Sequence, residues 1–164
     1  MKVIVTLTKE YFYQHRLSGQ PTGFAEAVKN GKKIHTCRDN YEYWSAKIEA
    51  LRQADGKLCI REWSGKPYRD KQNTIAEVPA ETAAVQPLYI HMTPSGYMAY
   101  VETDDGTKKR VGIEQLAAND GFSDAADFID FFNPLLNRES VIKLAIIHFT
   151  PFRYGSTDSS QRKE

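Results

Sequence analysis

Gly31-Lys32-Lys33-Ile34-His35-Thr36-Cys37-Arg38-Asp39-Asn40 reads as a turn entering a strand, and it gathers two lysines, a histidine, a threonine and an arginine. Polar and apolar residues alternate from Lys33 onward. With a side-chain period of two, Lys33, His35, Cys37 and Asp39 share one face, and Ile34, Thr36 and Arg38 the other. Each face mixes apolar with functional groups, as a pocket wall does. A plain half-buried strand separates them more cleanly.

On the N-terminal side, Met1 to Leu7 reads as a first strand, too short and too soon polar for a signal peptide. Lys9 to Gly19 is aromatic and basic and breaks at Pro21. Thr22 is placed to cap a short helix through Phe24, Ala25, Ala27 and Val28, which stops at Asn30-Gly31. On the C-terminal side, Asp39 or Asn40 caps a second helix with Tyr41, Trp44, Ile48 and Leu51 on one stripe, ended by Asp55-Gly56. Strands are expected over Lys57–Trp63, Asn73–Val78 and Val85–Met92. A hairpin follows, Gly96–Glu102 with Thr107–Val111. Ile113–Ala118 reads as a short helix, and Ser123 as the cap of another that ends at Asn133-Pro134. Val141–Phe149 is a strongly apolar final strand. From Gly155 the residues turn small, polar and charged, which predicts a disordered tail after a single domain spanning 1–154. The mixture of strands and inserted helices predicts an α+β fold, a small mixed β-barrel or curved sheet. Nothing shows the regular βαβ alternation of a doubly wound sheet.

The chain has 164 residues, enough for one domain with a real core, and no apolar run approaches the ~18 residues of a membrane helix. Two cysteines make neither a disulfide framework nor a zinc site, so free thiols in the cytoplasm are expected. The four histidines, 15, 35, 91 and 148, have no metal-ligand spacing. No phosphate loop, dinucleotide fingerprint or nucleophile elbow occurs, so neither a cofactor nor a metal is expected. A net charge of +1 hides an asymmetry: residues 29–71 carry eleven Lys/Arg against six Asp/Glu, and residues 72–164 carry eight against thirteen. The basic region suits an anionic partner such as RNA, or the two halves of one fold complement each other.

Three constellations can carry chemistry. Lys33, Thr36 and Arg38 combine a lysine whose pKa falls if buried, a hydroxyl, and a planar fork for phosphate or carboxylate. Arg61-Glu62-Trp63-Ser64-Gly65-Lys66-Pro67-Tyr68-Arg69 interleaves cations with rings. That pattern suits nucleic acid, with Arg61 and Trp63 on one strand face, or else it is a core Trp beside a solvated turn. Asn119-Asp120-Gly121 is a helix junction in which Asp can cap and Gly can take a positive φ.

Taken in this order, the three resemble the ASCH family of the PUA-like superfamily. Its signature, a helix ending in Gly followed by a Gly-x-Lys-x-x-Thr-x-Arg strand, stands here as Gly31 to Arg38. Asp120-Gly121-Phe122 before Ala126-Asp127-Phe128, and Leu144-Ala145-Ile146-Ile147-His148-Phe149, also match, so the resemblance spans roughly residues 20–150. It implies a PUA-like barrel with flanking helices, a cleft between barrel and helices, and an RNA, nucleotide or nucleoside ligand. One branch of the family consists of small amidohydrolases that deacetylate acetylcytidine. Their catalytic lysine, threonine and glutamate would fall on Lys33, Thr36 and Asp120, the last one methylene shorter than the family's glutamate. The expected ligand-binding residues are Arg38, Arg61, Trp63, Lys66 and Tyr68. This chain is longer than that branch, by Tyr41–Leu51 and the hairpin at 97–111.

Overall fold

The computed structural model describes residues 1–156; most of the expected tail therefore lies outside the described residues. The fold is α+β, and its strands divide between two sheets. The smaller holds β1 (Lys2–Leu7), β3 (Lys57–Trp63) and β4 (Gln72–Pro79) in the order β1-β3-β4, with β1 parallel to β3. The larger holds β2 (His35–Arg38), β8 (Val141–His148), β5 (Ala84–Thr93), β6 (Gly96–Glu102) and β7 (Lys108–Val111), in that order and antiparallel throughout. Among the described residues no ladder closes the two sheets into a barrel. A side chain bridges them instead: the Arg38 guanidinium donates to the Thr6 carbonyl at 2.8 Å, joining the β2 edge to the β1 edge.

β8 is apolar along most of its length because it is flanked by β2 and β5 and covered by helices. Ile142 and every residue from Leu144 to His148 are buried. Helix α2 (Tyr41–Gln53) lies against β5 and β8 and turns Ile48 and Leu51 inward, as its apolar stripe requires. Asn40, with a positive φ, caps it by accepting from the Tyr43 amide.

Two expected caps differ. Gly23, in the left-handed region, stands at the N-cap of α1 (Phe24–Lys29), while Thr22 Oγ1 still accepts from the Phe24 amide at 3.3 Å. At α4 (Ala125–Phe131) the cap is Asp124 rather than Ser123, because the Asp124 carboxylate reaches the Ala126 amide. The helix itself ends at Phe131, just before Asn133-Pro134, as the pattern expects. A short helix, α5 (Asn133–Leu136), starts there, since proline is tolerated in a first turn that has no amide to satisfy. Helix α3 (Ile113–Asn119) packs on α4, and its C-terminus delivers Asp120 to the core. No helix among the described residues is long and apolar enough to cross a membrane.

Candidate functional site

Lys33 sits just before β2, at the exit of the turn after α1. Its amide is tied to the Ala27 carbonyl at 2.9 Å, and the next amide, Ile34, to the Asn119 carbonyl at 2.8 Å. These bonds aim the lysine across 87 residues of sequence at Asp120. The ammonium donates to Asp120 Oδ1 and to the Asp120 carbonyl, both at 2.5 Å, and lies 4.3 Å from the centre of the Phe24 ring. Two of its hydrogens are thus bonded to Asp120, and the charge faces the Phe24 ring. Gly121 permits the approach: its φ is +87°, and a Cβ there would stand 3.1 Å from Lys33 Cβ.

The alternation of the motif survives in the fold. Lys33, His35 and Cys37 all address Asp120, while Arg38 donates to Thr36 Oγ1 at 2.8 Å on the opposite face. Both faces are covered, so Lys33 is only 2% exposed. Burial pushes the Lys33 pKa down, opposed by the Asp120 charge. For Asp120, burial pushes up, but Lys33 and His35 outweigh it and hold the carboxyl below its ordinary range. Burial, with the Asp120 charge added, pushes the Cys37 thiol well up, so it stays protonated while the chamber is closed.

Behind Asp120 runs a second set of bonds. Asn119 Nδ2 donates to the Tyr154 hydroxyl at 2.9 Å, and that hydroxyl lies 2.6 Å from His35 Nε2. The hydroxyl thus joins Asn119 to the His35 ring. The other ring nitrogen, His35 Nδ1, faces Asp120 Oδ2, 3.5 Å away. Gln86 pins Tyr154 through both its amide and its carbonyl, at 3.0 Å each.

His35, Cys37 and Asp120 bring three ligand atoms within 4.8 Å of one another. A divalent ion placed there would meet the Lys33 ammonium on the same carboxylate in a dry site, so the charges present are already balanced without one.

Thr36, Cys37, Arg38 and Asp120 line a small chamber closed by Phe24, Phe122, Phe131 and Phe132. Its volume of about 10 Å³ holds at most one water and is far below that of a nucleoside. Leu7 and Thr8 line this chamber and also a much larger open groove of about 980 Å³. The far wall of the groove is the turn between β3 and β4, including Trp63, Lys66, Tyr68 and Arg69. Asp70 builds that turn by accepting from the Lys66 amide at 2.6 Å, and Tyr68 occupies the left-handed region at φ 63°. The Tyr68 ring is 93% exposed, 5.2 Å from that of Trp63.

The expected site residues therefore fall into two places. Lys33 and Asp120 meet, with Thr36 and Arg38 on the chamber wall, whereas Trp63, Lys66 and Tyr68 line the groove. Arg61 lines neither, and its Nε is buried without a hydrogen-bond partner. His35 and Asn119, which lie inside the motifs without an assigned role, join the buried cluster, and so does Tyr154, which no motif singles out. A further depression of about 860 Å³ beside Arg110 and Glu114 carries no comparable pair of rings.

Comparison with protein-family models, with curated proteins and with solved structures returns no match.

Proposed function

We propose that this chain is a binding module of the ASCH/PUA-like kind, for single-stranded RNA or a nucleotide, and that the ligand lies in the groove between the end of β1 and the β3–β4 turn. The observation that carries this reading is the Trp63–Tyr68 pair, with Tyr68 almost wholly exposed on a turn that holds it in a left-handed backbone conformation. An exposed ring on a strained turn is costly for stability alone and useful for stacking a base. Lys66, Arg69 and Lys9 supply phosphate contacts along the same walls. Lys33 and Arg38, expected to meet phosphate, are committed instead to the Asp120 carboxylate, the Thr36 hydroxyl and three backbone carbonyls. The Gly31–Arg38 motif supports the same ligand class through its family resemblance.

Titration of a short single-stranded RNA at low salt tests this. Saturable binding is expected, with log K falling against log salt at about −0.7 per phosphate contact. Three contacts then weaken binding roughly fifteen- to twentyfold between 50 and 200 mM salt. Absence of saturable binding at low salt would overturn the proposal.

One observation favours a second reading, a small amidohydrolase acting on an acetylcytidine-type nucleoside: Lys33 and Asp120 converge beside Thr36. In that reading Lys33 orients or deprotonates the attacking water and Asp120 exchanges its proton, with Thr36 holding the acyl oxygen. The ammonium is buried and bonded twice to Asp120, so hydrolysis requires the dyad to open first. Release of cytidine from acetylcytidine by wild type, but not by Lys33→Ala, is the result that would establish it.

A further inference from the structure

Between β1 and α1 the chain makes an excursion, Thr8 to Thr22, with neither helix nor strand beyond a single bridge of Glu10 to Pro21. Its two ends are zipped together. The Thr22 amide donates to the Lys9 carbonyl at 2.8 Å, the Thr22 hydroxyl to the Thr8 carbonyl at 2.7 Å, and the Tyr11 amide to the Gln20 carbonyl at 3.0 Å. Such a loop, compact and closed at its neck, is of the Ω kind that often serves function.

The underside of the loop is aromatic. Phe12 meets Phe131 edge-on at 5.2 Å, and Tyr11 packs on Phe24 and Phe122 at 6.3 Å each. Phe24, Phe122 and Phe131 are the rings that wall the chamber holding Asp120 and Thr36. Thr8 belongs to that wall too, and Thr8 through Tyr11 form the near side of the groove. The loop therefore covers the chamber and borders the groove at once.

Its outer end is fastened to α4 by polar contacts. Arg16 Nε donates to Asp127 Oδ1 at 2.5 Å, the Arg16 amide to Asp130 Oδ2 at 2.7 Å, and His15 Nε2 to the Asp127 carbonyl at 2.9 Å. His15 Nδ1 accepts from the Leu17 amide at 3.0 Å, so this imidazole is the neutral tautomer with its hydrogen on Nε2. The Arg16 side chain is half exposed and the Asp127 carboxylate is buried, a charged contact at the rim of an apolar seal.

We propose that Thr8–Thr22 is a lid over the Lys33–Asp120 chamber, latched to α4 through Arg16, and that it admits part of a ligand lying in the groove. The proposal rests on the groove as the route of approach, but its test needs no ligand. Failure of RNA to bind and failure of the lid are therefore told apart.

Cys37 reports the chamber and Cys59, buried in the other sheet, reports global unfolding. Labelling of the folded protein with a maleimide at mildly alkaline pH, followed by peptide mass analysis, gives both rates in one experiment. Cys37 is expected to react before Cys59 in the wild type. Arg16→Ala is expected to raise the Cys37 rate about tenfold, the scale of one charge-assisted hydrogen bond, with the Cys59 rate unchanged. Arg16→Lys, which keeps the charge but loses the planar fork, gives a smaller rise and serves if Arg16→Ala fails to fold. Equal rates for the two thiols in wild type, or equal acceleration of both by the substitutions, would overturn the lid.

Discussion

Asp120→Ala is expected to lower the stability of the fold by about 3–5 kcal/mol, the cost of leaving one partner of a buried ion pair alone. Lys33 is encased by the Phe24 ring, the Gly121 backbone and the Asp120 carbonyl, and it is almost wholly shielded from solvent. Adding Lys33→Met to that variant removes the stranded charge and should recover most of the loss, since an apolar side chain of similar length fills the same space. Urea unfolding of wild type, single and double variants measures all three. A single variant within about 1 kcal/mol of wild type would mean that the pair carries little. Acid gives the same answer in another form. The folded Asp120 carboxyl titrates below its ordinary value, so its contribution is present above the unfolded pKa of about 4 and is lost as pH falls through the folded one. Wild type should therefore lose more stability on acidification than the double variant.

Trp63→Ala should weaken binding of single-stranded RNA by roughly ten- to a hundredfold, corresponding to about 1–3 kcal/mol for one stacked base. Tyr68→Ala should act in the same direction. Because that ring is exposed and packs on little besides Trp63, its removal leaves the unfolding midpoint almost unchanged. Tyr68→Phe preserves the π-face and should bind as wild type does. Anisotropy of an end-labelled RNA reads each affinity. Unaltered affinity in both alanine variants would show that the rings do not stack the ligand, whatever else the groove holds.

What the sequence makes legible is local. The period-two alternation from Lys33 to Arg38 places Lys33, His35 and Cys37 toward one partner and pairs Thr36 with Arg38 on the other face. The apolar run of β8 and the stripe of α2 likewise announce burial. What escapes is set by distance along the chain. The contact from Lys33 to Asp120, and the bonds from Tyr154 to His35 and Asn119, close loops of 35 to 119 residues that no spacing rule encodes. The division into two sheets depends on which edges meet, and there a side chain, Arg38, takes the place of a ladder. The cap of α4 fails for a smaller reason: the residue after Ser123 is also a good capper, and it is the Asp124 carboxylate that reaches the Ala126 amide. The aromatic, basic run from Lys9 to Gly19 looks like an irregular connection until its rings are seen against Phe24, Phe122 and Phe131.

The most direct test of ligand binding in the groove is to follow the backbone amide resonances of the isotopically labelled protein while a short single-stranded RNA is added at low salt. Shifts concentrated at Thr8 to Tyr11 and Trp63 to Asp70, the two walls of the groove, are the predicted result. Shifts confined to the depression beside Arg110 and Glu114, or none at saturating RNA, would contradict it.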